Sequence, residues 1–510
     1  MKLPLLLLCT PLLLRAQDLK EFEKKVTEFT LLNGLHFIVC ERHQAPVVSF
    51  HTYVNAGAVD DPSGKTGLAH MFEHMAFKGT EAIGSTNWVE EKKAMEAVER
   101  AYNKLEQERD KGPRTDKERA AKLEEDLKTE MDKANSFVEP NLYPRLIEEN
   151  GGVGLNASTG EDSTNYFYNL PANRVELWFL LESGRFLRPV FREFYKERDV
   201  VREERRMRSE SDPQGKLAEL FTATAIEAHP YRRPPVGWAS DIENLRLSDA
   251  EAFFNKYYVP GNITISIVGD VRPADIRRMA DKYFAPIPKR PLPTPVVTVE
   301  PPQEGQKLAQ VESASQPIEL IGYKRPSQYD KDDPVFDVIA SILSGGRTGL
   351  LYKDLVRDRK IALAAGADAT YPGGKYPSLF LCYLVPSMGK SLDENEKAFY
   401  AILDRLRKDP IDTATLKRVK TKTRGSLIRQ LDSNSGLANL LSNAYANYGD
   451  WRKLFTDLDE VDKVTAQDVQ RVANLYFTDA NRTAAWLVQP KPVQPKPVQP
   501  KVANSEGGAK

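Results

Sequence analysis

GLAHMFEHMAFKGT, residues 67–80, holds two of the chain's six histidines, four positions apart, with Glu73 immediately before the second. A helix brings positions i, i+3 and i+4 to one face, so His70, Glu73 and His74 point the same way. Two neutral imidazoles one turn apart can hold a single ion in the manner of a zinc pair. A carboxylate between them in angle can accept a proton from an activated water without itself ligating. The order HxxEH, the inverse of HExxH, is a zinc-peptidase signature.

Such a site needs a third ligand, and it must be acidic. The remaining histidines are placed elsewhere: His36, His43 and His51 in strand-like sequence, and His229 before a proline. The segment FYKERDVVREERRMRSE, 194–210, offers Glu197 and Glu204. They are seven apart, two turns along one helical face, so one could ligate while the other supports it. Glu203 and Glu210 are the fallback choices.

Outward from this site, FTLLNGLHFIVC turns at Asn33-Gly34, a strong hairpin signal, and VVSFHTYV continues as a strand. After the site, 88–110 place Met95, Val98, Tyr102 and Leu105 on a narrow helical seam. Gly112-Pro113 break it, Thr115 and Glu118 have capping-box spacing, and Leu123, Leu127, Met131 and Ala134 mark a second helix. Residues 88–138 therefore read as an antiparallel helical hairpin inserted into a domain. It is too charged to form a core and is expected to be a solvated decoration, with a partner-docking arm as the alternative. Strand texture returns in NASTGEDSTNYFYNLP, 156–171, followed by helices over 174–187 and 193–209, and a buried strand ends at Gly269-Asp270.

PIPKRPLPTPVVTVEPPQEG, 286–305, is expected to be a linker with nothing to pack. Beyond it, 311–488 repeat the sheet-and-helix texture: strands in QPIELIGYK and SLFLCYLV, and helices in PVFDVIASILSGG, 392–408 and 434–448. That half contains no histidine. The expected class is α+β, with two similar α/β-roll domains, 18–285 and 311–488 around a 286–310 linker. Each is a mixed sheet with helices on one face.

The 510 residues exceed one ordinary core, and 72 Lys plus Arg against 72 Asp plus Glu leave no net field to draw in nucleic acid or an anionic membrane. MKLPLLLLCTPLLLRAQ, 1–17, is too short to span a bilayer and fits a secretory signal peptide. Export to the periplasm or medium follows, with no transmembrane segment in the mature chain. Of the cysteines beyond the leader, Cys40 and Cys382 lie in apolar runs and read as buried thiols. Residues 489–510, rich in Pro and Lys, read as a disordered, extended tail.

HMFEHMAFKGT, GLNASTGEDSTNYFYNLP, YKERDVVREERR, HPYRRPPVGWASDIENL and YYVPGNITISIVGD occur in that order. Together they resemble the pitrilysin or insulinase-type inverzincin metallopeptidases, in the branch typified by the mitochondrial processing peptidase and its bacterial relatives. The resemblance implies one zinc per chain, held by His70, His74 and Glu204, with Glu73 as general base and Glu197 as the supporting acid. The interval from the HxxEH to Glu204 exceeds the family's by about the size of the hairpin. The resemblance further implies that Asn156, Ala157 and Ser158 lie on an edge strand beside the metal, where an extended peptide substrate adds as another strand.

In one place the chain departs from the pattern. Where the family carries an Arg and, seven residues later, a Tyr that hold the peptide, the register puts Val356 and Leu363, with Arg357 one residue out. In the two-subunit branch a metal-free partner supplies that pair. The expected function is thus a zinc endopeptidase working with a related metal-free subunit, or as a homodimer. The alternative is a zinc-binding, peptide-binding scaffold with little activity alone.

Overall fold

Gly34 adopts φ 100°, open to glycine without strain, and the chain reverses there from β1 (Val26–Thr30) into β2 (His36–Glu41). The computed structural model in which this hairpin sits describes residues 22–490. The signal peptide expected over 1–17 and nearly all of the Pro/Lys-rich tail fall outside that range.

With β3 (Val47–Val54), β4 (Val153–Thr159), β5 (Thr164–Pro171) and β6 (Ile263–Gly269), the hairpin forms a six-stranded sheet of order β1-β2-β6-β3-β5-β4. Only β2 and β6 run parallel. The second half builds β7 (Lys307–Glu312), β8 (Ile318–Arg325), β9 (Ala362–Tyr371), β10 (Ser378–Pro386) and β11 (Arg482–Val488) in order β7-β11-β8-β10-β9. Here β7 and β11 alone are parallel. Strand for strand, β2, β6, β3, β5 and β4 match β7, β11, β8, β10 and β9 in neighbours and direction. The two halves therefore share one topology, with β1 added to the first and β4 and β9 as equivalent free edges.

Strand alternation explains how both faces are used. In β2, Phe37 and Val39 enter one core and Ile38 and Cys40 another. The first core lies under the first half's own helices: α1 (Leu68–Met75), α2 (Trp88–Arg109), α3 (Lys117–Asn135), α4 (Leu142–Glu149), α5 (Val175–Leu187) and α6 (Phe194–Arg205). The opposite face is covered from the other half. Helix α7 (Pro213–Ala225) lays Leu217, Phe221 and Ala225 on Leu379, Leu381, Ala485 and Leu487 of the second sheet. In return α8 (Thr413–Asp432) and α9 (Asn434–Tyr448) place Leu431, Leu437, Ala438 and Leu441 against Ile38, Cys40 and Val268 of the first. Gly322 permits this approach, since a Cβ there would meet the Phe221 ring at 2.6 Å. Cys40 and Cys382 are buried free thiols, on separate sheets.

Three expectations are corrected. The Pro-rich segment is docked, not idle: Glu300 accepts the backbone N–H groups of Glu227, Ala228 and His229 at 2.8–3.0 Å and the Lys324 ammonium at 2.6 Å. Despite partial burial, these donors hold its carboxyl down at about 2. β7 starts at Lys307, inside the stretch expected to be linker. Second, α3 is capped by Asp116, whose carboxylate accepts from Glu118 and Arg119, while the Thr115 hydroxyl turns back to the carbonyls of 108, 109 and 112. Third, the hairpin is more than a solvated decoration: Ala94, Val98, Tyr102, Leu105, Leu127 and Ala134 enter the first core. Among the described residues, no helix is long and apolar enough to cross a membrane.

Candidate metal centre

Helix α1 begins in a fixed place because its N-terminus is tied down. Gly67, at φ 93°, sits where a Cβ would meet the Val236 carbonyl at 2.7 Å. The buried Asp61 carboxylate accepts the N–H groups of Gly67 at 2.7 Å and Ala69 at 2.9 Å. These two bonds satisfy N–H groups that a helix start leaves unpaired, and burial pushes the Asp61 carboxyl up to about 8 against them. Leu68, Met71, Phe72 and Met75 anchor the apolar side in the core, which leaves His70, Glu73 and His74 on the other.

Helix α6 crosses behind them and brings acids within reach. His70 Nε2 lies 3.5 Å from one oxygen of Glu204, and His74 Nε2 lies 3.3 Å from the other. These three residues form a group that could hold one metal ion. Two atoms each about 2.0–2.1 Å from one tetrahedral ion stand about 3.3 Å apart, so the observed separations fit that donor set. His70 Nδ1 is buried without a hydrogen-bond partner. Burial and then the charge of His74 lower the His70 pKa to about 4. His74 is raised to about 9, because hydrogen bonds to Glu197 and Glu204 outweigh burial. Glu204 is held low by its hydrogen bond to His74 against desolvation.

Glu197 completes the surroundings of His74: its Oε1 is 2.8 Å from His74 Nδ1 and its Oε2 is 2.7 Å from Lys78 Nζ. Against burial, these two partners draw its carboxyl to about 2. Glu203 and Glu210 are engaged elsewhere, with Arg206 and Arg202. Three residues escaped sequence reasoning: Lys78, Asp61 and Arg208. Lys78, one turn beyond His74, could have been found by extending the same helical spacing. Asp61 has no local signal, since it caps a helix that starts seven residues later. Arg208, four after Glu204, pairs with its Oε1 at 2.8 Å.

Glu73 and His74 line a cleft of about 480 Å³ with Phe77, Tyr143, Asn156 and Ala157. The Glu73 side chain has no hydrogen bond or ion pair to another described residue. Asn156, Ala157 and Ser158 lie on β4, the free edge of the first sheet. In the second half, Val356 packs against the core and Leu363 is exposed.

The chain matches the family model for Insulinase (Peptidase family M16) over residues 37–108 and the one for the Peptidase M16 inactive domain over 244–423. It belongs to the insulinase family of peptidases, family M16. It is 28% identical over 471 residues to the zinc protease PqqE of Helicobacter pylori, covering 90% of this chain and 91% of that one. It is 22% identical to a probable mitochondrial-processing peptidase subunit beta of Arabidopsis thaliana, covering 90% and 77%. The crystal structure of a protease from Helicobacter pylori superposes with a TM-score of 0.75 at 26% identity, over 91% of this chain and 99% of that one. The periplasmic protease PqqL of Escherichia coli shares the fold, with a TM-score of 0.67 at 14% identity; the match covers 91% of this chain and 48% of that one.

Proposed function

We propose that this M16 chain is a zinc-dependent endopeptidase acting on extended peptides or unfolded segments. The observation that carries it is the convergence of the His70 and His74 Nε2 atoms on the two oxygens of Glu204. Zinc held by these three residues would supply a Lewis acid and draw the pKa of a water toward about 7. Glu197 keeps the His74 ring oriented by accepting from Nδ1. Glu73, facing the cleft, takes the proton of the attacking water and returns it to the departing amine. Asn156–Ser158 offer the peptide a strand edge whose unpaired backbone groups read extension more than side chains. The zinc proteases among its relatives support the metal, and the leader-like 1–17 supports export.

Working with a related metal-free subunit, or as a homodimer, belongs to this reading, because Val356 and Leu363 stand where the peptide-holding Arg and Tyr are expected. The same observation favours a second reading, a zinc-binding scaffold that grips peptides but barely cleaves them. Assaying the chain alone and then with its co-purified relative separates the two. Activity only in the mixture supports the paired enzyme, and inactivity in both supports the scaffold. Within the enzyme, Glu73→Gln should lower hydrolysis by about 10²–10⁴-fold while zinc stays bound. Retained hydrolysis in that variant overturns Glu73 as the base.

A further inference from the structure

Two buried contacts join the helical hairpin to the two helices that carry the candidate metal-holding residues. The first centres on Arg192, 1% exposed and two residues before α6. Its guanidinium donates to the carbonyls of Lys78, Thr80 and Ile83, in the loop that leaves α1. Arg192 thus fastens the exit of α1 to the entry of α6. A guanidinium this buried needs a counter-charge, and removing the partner of a buried pair leaves it uncompensated. That counter-charge comes from the hairpin: Glu91, in the first turn of α2 and 0% exposed, accepts from Arg192 Nε at 2.7 Å.

The second contact grips α6 itself. Tyr102, on α2 and fully buried, stacks on Tyr195 with ring centroids 4.1 Å apart and planes at 22°. Arg198 lies over both rings and donates to the Tyr102 hydroxyl at 2.9 Å and to the Leu245 carbonyl at 3.1 Å. At about 100° per residue, Glu197 and Glu204 lie about 200° and 180° around the helix from Tyr195. The hairpin therefore holds the back of α6 while the front presents Glu197 and Glu204 to His74.

We infer that the hairpin is a strut: through Glu91 and Tyr102 it sets the spacing of α1 and α6, and so the approach of Glu204 to His70 and His74. Glu91, Arg192 and Tyr102 are positioning residues. The inference rests on the metallopeptidase reading and adds to it a role for a segment whose charge marks it as surface.

The test uses the full chain as wild type, Glu91→Gln, Tyr102→Ala and Tyr102→Phe. Zinc affinity is measured by competition with a chromophoric chelator, and the visible absorption of the cobalt-loaded protein reports ligand geometry. Glu91→Gln and Tyr102→Ala should weaken zinc binding about tenfold, the low end of what losing an outer-shell partner costs, and shift the cobalt bands. Tyr102→Phe, which keeps the stack, should restore most of the affinity; should Tyr102→Ala fail to fold, Glu91→Gln and Tyr102→Phe carry the comparison. Wild-type affinity and unmoved bands in Glu91→Gln and in whichever Tyr102 variants fold, even with lowered thermal stability, overturn the strut alone. A wild-type chain that takes up no zinc contradicts the peptidase reading itself.

Discussion

Glu197 Oε1 lies 2.8 Å from His74 Nδ1, the ring nitrogen turned away from Glu204. A carboxylate there accepts a hydrogen bond from Nδ1–H, fixing the proton on that nitrogen and leaving the Nε2 lone pair on the side where His70 and Glu204 meet. Glu197→Gln keeps the shape but removes the charge. It should weaken zinc binding by about 10–100-fold with the fold retained, as read by chelator competition; an unchanged affinity would show that Glu197 does not orient the ring.

Asp61 accepts two N–H groups at the start of α1. Asp61→Ala leaves them buried and unpaired, each worth about 1–3 kcal/mol, and removes a helix cap. A fall of about 2–6 kcal/mol in unfolding free energy should appear in urea titrations. An unshifted midpoint would mean that the cap does not hold α1 in place.

Acid should loosen the join between the halves. His36 stacks on Tyr445, His51 bonds Ser442, and His229 packs on Tyr376, so each meets the second half. Burial lowers all three to about 4, only partly opposed by Glu28 at His36 and by Glu300 and Asp162 at His229. The folded pKa lies below the ordinary 6.5, so the unfolded chain binds protons first. The stability is present in full above 6.5 and is lost as pH falls toward 4. Each histidine contributes a slope of up to about 1.4 kcal/mol per pH unit. Buried carboxyls such as Asp61 and Glu319, pushed up to about 8 and about 9 by burial, act in the opposite sense, so the check is a comparison. From pH 7 to pH 5 the melting temperature of the zinc-loaded wild type should change less favourably than that of zinc-loaded His51→Gln. Identical pH profiles contradict the assignment.

Periodicity made much of this legible. The four-residue spacing of His70 and His74, the Asn33-Gly34 turn and the 174–187, 392–408 and 434–448 helices follow from local pattern, and the structure has them within a residue or two. What pattern cannot supply is the identity of the surface a face meets. Leu217, Phe221 and Ala225 announce a buried stripe on α7, yet nothing local says that it covers the other half's sheet. Charge density misled at the hairpin, because Glu91 and Glu106 are buried through long-range partners such as Arg192 and Arg246. Glu300 escaped for the same reason: its donors come from residues 227–229 and 324, far along the chain.

The proposed site is one cation shared by two rings and a distant carboxylate. Metal analysis of the purified chain beside His70→Ala, His74→Ala and Glu204→Gln tests this directly. The wild type should carry one zinc per chain and each variant should lose most of it while remaining folded. Full zinc occupancy in Glu204→Gln would contradict the proposed site and turn attention to Glu203 or Glu210.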